Sequence, residues 1–190
     1  MIDLLATEKE LISRHIRVGG VCADFTMGNG HDTLWLSRAV GETGHVYAFD
    51  VQQAALDSTA ALLKAEKAPD NVTLILDSHH NAAKYITQPI CAGMFNLGWL
   101  PGGDKTITTM RETTMPAVEA AIELLDSDGI INIAVYPGHP EGDLEGKMLE
   151  EYFEGLSRFK VCVTKVKIIN SATSPYFFMV ETKAKRTEGK

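Results

Sequence analysis

Two rhythms alternate along this chain, a helical spacing of apolar positions and short continuous apolar runs. Leu4, Leu5, Glu8, Leu11, Ile12 and His15 mark one helical face, so positions 4–17 read as an opening helix that Gly19-Gly20 ends. Positions 21–25 then form a strand-like run, and 31–40 return to helical spacing until Gly41 and Gly44 stop it. The exchange repeats with a strand at 46–50, a helix at 52–67, and a strand at 72–77 after the Pro69-Asp70-Asn71 break. A strand at 90–97 precedes a helical stretch at 107–125, which Pro116 should kink or divide. A strand at 130–136 follows, and Leu144, Met148, Leu149, Phe153 and Leu156 mark the next helix. Two strand-like runs, 159–169 and 176–182, close the chain with no helix between them.

Strands that alternate with helices imply a parallel sheet with right-handed crossovers. The last two strands lack a crossover helix and should pair antiparallel. The expected fold is therefore an α/β doubly wound sheet of six or seven strands, mostly parallel, ending in an antiparallel hairpin. A length of 190 residues suits one domain, 1–190, with an N-terminal helix at 1–20, a core at 21–184 and a tail at 185–190.

The formal net charge of −7 argues against a protein that coats nucleic acid non-specifically, since Lys and Arg supply that affinity. Lys183, Lys185, Arg186 and Lys190 form a basic group that reads better as a solvated end than as a binding surface. The N-terminus lacks the pattern of a secretory signal, and no apolar run is long enough to cross a bilayer, so a cytoplasmic protein without membrane association is expected. Cys22, Cys91 and Cys162 lie among strand-like apolar residues and read as buried free thiols.

In an open α/β sheet the ligand lies off the carboxyl ends of the strands. There the first loop reads Asp24-Phe25-Thr26-Met27-Gly28-Asn29-Gly30-His31-Asp32-Thr33. Gly28 and Gly30 let the backbone approach a ligand, and the following helix offers free N–H groups. Asp50 ends the second strand about 20 residues on, where a carboxylate can accept both hydroxyls of a ribose. Glycine loop and strand-end acid together point to an adenosine-containing cofactor. The dinucleotide fingerprint needs a third glycine where Thr33 stands, so S-adenosyl-L-methionine is favoured over NAD. Asp77 and Ser78 follow the third strand, where such a pair can reach an adenine edge; Asp77 reads equally well as a helix cap. His79-His80 points apart and has no partner acids or thiols, so no metal site is expected.

These residues give the chain a more specific resemblance. Together with the first loop, Phe49-Asp50-Val51-Gln52, the stretch Asn96-Leu97-Gly98-Trp99-Leu100-Pro101-Gly102-Gly103-Asp104-Lys105, and Tyr136-Pro137-Gly138-His139 with Glu141-Gly142 resemble a family of small bacterial class I methyltransferases. That family was formerly described as ribosomal RNA methylases and is assigned to a modified wobble uridine of transfer RNA. Thr26, where most such enzymes carry a glycine, is the family's own form. The resemblance implies N-methylation of the aminomethyl group of 5-aminomethyl-2-thiouridine, with a tRNA anticodon stem-loop as partner and a homodimer left open. It also implies cofactor contacts at Met27, Asn29, Asp50, Gln52, Gln53, Ser78 and His79.

Methyl transfer to an amine needs a neutral nitrogen held in line with the methyl–sulfur bond, and positioning alone can remove much of the barrier. Asn96 offers a carbonyl acceptor for an amine N–H, and Trp99 a flat face for a base; the plainer readings are a satisfied strand end and a core aromatic. Tyr136 and His139 suit stacking on an unpaired RNA base, and His139 is also a candidate proton acceptor, against a rigid Pro-Gly turn with an exposed histidine. The rival readings are a methyltransferase of rRNA or of a small-molecule amine or hydroxyl, a non-catalytic cofactor- or RNA-binding module, and an NAD oxidoreductase.

Overall fold

The computed structural model describes residues 3–183. In chain order the elements are α1 (Leu4–Ser13), β1 (Val21–Asp24), α2 (His31–Val40), β2 (His45–Asp50), α3 (Gln53–Ala65), β3 (Val72–Leu76), a 3-10 helix (His79–Lys84), β4 (Ile90–Leu97), α4 (Arg111–Leu124), β5 (Leu125–Val135), α5 (Pro140–Glu154), β6 (Val161–Val166) and β7 (Tyr176–Thr182). The strands form one seven-stranded sheet in the order β3-β2-β1-β4-β5-β7-β6. Pairs from β3 through β5 are parallel, while β7 runs antiparallel to both β5 and β6. The expected architecture and its closing hairpin are present.

Helices cover both faces. Ile12 of α1 and Leu36 and Val40 of α2 pack with Cys22, Val46, Met94 and Phe177 on one side. Ala117, Val118 and Ala121 of α4, with Leu149 and Phe153 of α5, pack with Phe95, Ile131, Ile133 and Phe178 on the other. A strand covered twice has no solvent face to alternate toward, so β4 reads as an unbroken apolar run, buried at every position but Asn96. Phe25 stacks on Phe95 with ring centroids 4.3 Å apart and on Phe49 at 6.0 Å, tying the ends of β1, β2 and β4 together.

Several boundaries differ from the sequence expectation for tertiary reasons. The first helix ends at Ser13 and not at Arg17, because the His15 ring binds the Asp128 carbonyl and Arg17 pairs with Asp126, drawing the chain toward the start of β5. Pro116 does not divide α4, which begins only at Arg111. The proline therefore falls in the second turn, where its missing N–H removes a single bond near the helix start. The crossover from β3 to β4 is a 3-10 helix that the apolar spacing does not announce. Cys22 and Cys91 are buried as expected, their sulfurs 3.5 Å apart, but Cys162 is exposed. It lies on β6, which pairs only with β7 and leaves one face to solvent. No described helix is long and apolar enough to cross a membrane. Of the basic group near the C-terminus only Lys183 lies within the described residues, its ammonium 5.5 Å from the Phe159 ring centroid; positions 184–190 lie outside them.

Candidate active site

Strand order reverses between β1 and β4, which opens a crevice at their carboxyl ends. A cleft of about 670 Å³ fills it, lined by the loop after β1, the ends of β2, β3, β4 and β5, and the face of α1 that carries Leu5 and Lys9. Of the residues singled out from sequence, Met27, Gly28, Asn29, Asp50, Gln52, Asp77, Ser78, His79, Asn96, Trp99, Tyr136 and His139 all line it. Gln53 does not: it opens α3, is exposed, and its side chain donates to Asp57 at 2.9 Å.

One end of the cleft is built around the glycine loop. Gly30 has φ +85°, and a Cβ there would stand 2.8 Å from the Thr59 side chain, so only glycine allows α3 to close on the loop. The Asp50 carboxylate accepts from Gly28 N–H at 3.1 Å and from Gln52 N–H at 3.0 Å, one bond per oxygen. Asp50 lines the cleft, and burial raises its pKa. Thr33, which displaces the third glycine of a dinucleotide fingerprint, is buried and donates to Asp24 at 2.6 Å. Asn29 spans the loop, its amide donating to the Pro101 carbonyl at 3.2 Å while its own carbonyl accepts from Ser58 at 3.1 Å.

The residues after β3 divide their work. Asp77 accepts from Ser78 N–H at 2.7 Å, Asn81 at 2.9 Å and the Tyr85 hydroxyl at 2.8 Å, and these bonds lower its pKa. Its carboxylate thus ties side chains of the 3-10 segment together without capping it, since Ser78 is the N-cap and no side chain caps the helix, and Asp77 still lines the cleft. His80 turns outward to Ser78 at 2.8 Å, and His79 turns in. His79 Nδ1 lies 3.1 Å from the Phe25 carbonyl, which can only accept, so Nδ1 carries the hydrogen. Burial lowers the ring's pKa to about 4, leaving it neutral with Nε2 as a bare acceptor that has no hydrogen-bond partner.

At the other end Asn96 is the centre of a network. Its backbone N–H donates to Thr26 Oγ1 at 2.7 Å, which explains a threonine where a glycine would be expected. Its side-chain amide donates to Asp32 at 2.8 Å, and its carbonyl accepts from the Tyr136 hydroxyl at 3.3 Å. Lys9 of α1 pairs with the second Asp32 oxygen at 2.8 Å. Tyr136 is partly buried, and its pKa is raised by burial and by the nearby charges of Glu8 and Asp32. Trp99 remains 36% exposed, its ring 4.7 Å from that of His139 and under the Lys105 ammonium at 5.4 Å. The Trp99 loop is pinned by a buried carboxylate, Glu145 of α5, which accepts from Thr109 at 2.8 Å and Thr114 at 2.5 Å.

His139 does not have the geometry expected of a proton acceptor. It is the N-cap of α5, and its Nδ1 accepts from Gly142 N–H at 3.1 Å. In the neutral ring the hydrogen therefore sits on Nε2, and taking up a proton at Nδ1 would break the cap. Its Nε2 is buried without a hydrogen-bond partner, so what it offers the cleft is an aromatic face.

Lys9, Asp32 and Glu145 were missed by the sequence reading. Asp32 stood inside the quoted loop and Lys9 beside a marked helical face, but their pairing joins residues far apart in the chain, and no local signal reports it.

The chain matches the family described as "Putative rRNA methylase" over residues 46–181. It is 38% identical to a structure from Clostridium thermocellum described as a "putative rRNA-methylase", with a TM-score of 0.93 over 96% of this chain and 98% of that one. It is 34% identical to a structure from Streptococcus mutans described as "a putative methyltransferase" in complex with SAH, with a TM-score of 0.87 over 96% and 99% of the two chains. A curated relative, the chloroplastic tRNA (mnm(5)s(2)U34)-methyltransferase of Arabidopsis thaliana, is 35% identical over 170 residues; the aligned region covers 84% of this chain and 62% of that protein. With its class I methyltransferase sheet and a matching segment that runs from β2 into β7, the chain belongs to this rRNA methylase family.

Proposed function

We propose that the protein is an S-adenosylmethionine-dependent methyltransferase that N-methylates the aminomethyl group of 5-aminomethyl-2-thiouridine at the tRNA wobble position. The observation that carries this reading is one cleft with two differently equipped ends: Gly28, Asp50 and His79 at one, and Asn96, Tyr136 and Trp99 at the other.

The first end fits the cofactor. The Asp50 carboxylate on the cleft wall suits ribose hydroxyls, the partnerless His79 Nε2 suits an N–H donor such as an adenine amino group, and the Gly28–Gly30 turn admits the chain close by. Met27, Asn29, Gln52 and Ser78 complete the surround. When bound, S-adenosylmethionine supplies an electrophilic methyl on a sulfonium, and the SAH complex of the S. mutans relative supports its use here.

The second end fits an amine carried on a planar base. Asn96 presents a carbonyl acceptor to an N–H, and Trp99 and His139 offer faces for stacking. A nitrogen held this way keeps its lone pair free for the methyl that the bound cofactor would supply, and would give up a proton to solvent once methylated. The Arabidopsis relative supports the tRNA substrate.

The test is methylation of a synthetic anticodon stem-loop bearing 5-aminomethyl-2-thiouridine, read by nucleoside mass spectrometry beside rRNA fragments and a set of small amines and alcohols. The expected product is 5-methylaminomethyl-2-thiouridine in the stem-loop alone. Turnover of rRNA or a small molecule with the stem-loop untouched would overturn the reading.

A further inference from the structure

We propose that Asp32 is a positioning residue that fixes which end of the Asn96 carboxamide faces the reacting nitrogen. The inference rests on the amine-methylation reading above.

A carboxamide can sit in either of two orientations with almost the same shape, presenting a carbonyl or an NH₂ group to a given side. Only the carbonyl side serves an amine methyltransferase, because the nitrogen must donate its N–H bonds and keep its lone pair for the methyl. An NH₂ group aimed at that lone pair would compete for it directly. Asn96 therefore needs a neighbour that accepts and cannot donate, and Asp32 is that neighbour. Its Oδ2 accepts from Asn96 Nδ2 at 2.8 Å, and its Oδ1 is held by the Lys9 ammonium at 2.8 Å. The Lys9 ammonium can only donate, so both Asp32 oxygens act as acceptors here. The Tyr136 hydroxyl cannot fix the orientation by itself, since an OH group donates to a carbonyl or accepts from an amide with equal ease. Its contact with Asn96 is also long, at 3.3 Å, which leaves the carbonyl with capacity for a second donor. Asp32 is 17% exposed at the side chain, lies in the first turn of α2, and lines the cleft beside Asn96.

The consequence is a network that can be inverted and then restored. In Asp32→Asn, the new amide accepts from Lys9 with its oxygen and turns its NH₂ toward Asn96. Asn96 then flips to accept, its NH₂ faces the cleft, and Tyr136 accepts from it. No hydrogen bond is lost, so fold and cofactor site are kept while the acceptor is replaced by a donor. Adding Asn96→Asp restores an acceptor facing the amine: the residue at 32 still accepts from Lys9 and now donates to the carboxylate at 96.

The experiment compares wild type, Asp32→Asn and the Asp32→Asn/Asn96→Asp double variant on the aminomethyl-thiouridine stem-loop. Rates are read at the alkaline end of the pH profile, where the free amine is neutral. We expect Asp32→Asn to lower kcat by roughly tenfold to a hundredfold, with KM for RNA and affinity for S-adenosylhomocysteine nearly unchanged. The reciprocal double variant should recover most of that loss. A merely structural Asp32 predicts the opposite order, with the double variant no better than the single one, and that order would overturn the proposal, as would a wild-type kcat in Asp32→Asn. Inactivity of the wild-type protein on this RNA would instead refute the functional reading on which the proposal stands.

Discussion

Asp50 shows how far a single residue can be read. A carboxylate at the end of the second strand, following a glycine loop, can be placed from sequence because the strand and the loop place it locally. The structure adds that the same carboxylate also holds the loop, through Gly28 N–H and Gln52 N–H. Asp50→Ala should weaken S-adenosylhomocysteine binding by roughly 1.5–3 kcal/mol, as for a charged hydrogen-bond partner; calorimetry on the folded variant measures it, and unchanged affinity would remove Asp50 from the cofactor site. His139 teaches the reverse lesson. Its Nδ1 is committed to the start of α5, so His139→Asn, which preserves a good cap, should leave the shape of the pH–rate profile unchanged. His139→Ala should cost about 1 kcal/mol of stability, seen in urea unfolding. A profile that loses one limb in His139→Asn would restore the histidine as proton acceptor.

At the scale of elements, α1 is more than an amphipathic cover. It brings Lys9 and Leu5 to the cleft and buries Glu8 almost completely, at 1% exposure. Glu8 accepts from Asn132 Nδ2 at 2.9 Å, but its Oε1 and the Asn132 Oδ1 both lack hydrogen-bond partners. Burial, with Asp32 nearby, raises its pKa from 4.5 to about 7. The folded state therefore keeps a proton that the unfolded chain has already lost between these values, and stability falls as pH rises through that window. Asp24, fully buried and raised from 3.8 to about 7 by burial, adds to the fall in the same direction. Glu8→Gln supplies a neutral amide that can donate to Asn132 Oδ1 while still accepting from its Nδ2. The variant should gain on the order of 2–3 kcal/mol above neutral pH and nothing near pH 4, which urea unfolding at several pH values would show. Equal gains at both ends would mean that the proton on Glu8 is not responsible. Glu145 of α5 plays the equivalent organising part on the other side, fixing the Trp99 loop through Thr109 and Thr114.

At the scale of the whole molecule, a net charge of −7 sets the terms of any RNA contact. With so few cations near the cleft, Lys9 and Lys105 among them, the log–log dependence of RNA affinity on salt should be shallow, roughly 2 to 3 in magnitude for three or four single-strand phosphate contacts. Filter binding across a salt series measures it, and a steep slope would place an extensive basic interface elsewhere on the protein. The same global arrangement separates the two adenosine cofactors. Thr33 packs buried against Asp24 where a dinucleotide site needs a glycine, so the protein should bind S-adenosylhomocysteine and not NAD in a calorimetric titration.

The alternation of apolar runs and helical spacing determined the order of strands and helices, their parallel pairing and the antiparallel close, because each of these follows from local periodicity and connection chirality. The glycine loop and Asp50 were legible for a related reason: the cofactor end of such a sheet is assembled from consecutive strand-to-helix turns. Helix and strand ends were less so, as Ser13 and Arg111 show, since side chains from distant elements decide where a helix stops. The exposure of Cys162 depended on β6 being an edge strand, which the composition of β6 does not state. Only the tertiary structure decided the Asn96 end of the cleft. Lys9, Asp32, Asn96 and Tyr136 come from α1, α2 and the ends of β4 and β5, and their meaning lies in which atom donates to which. A hydrogen bond between residues 64 positions apart leaves no periodic trace in a sequence, and it exists only once the sheet has brought its strand ends together.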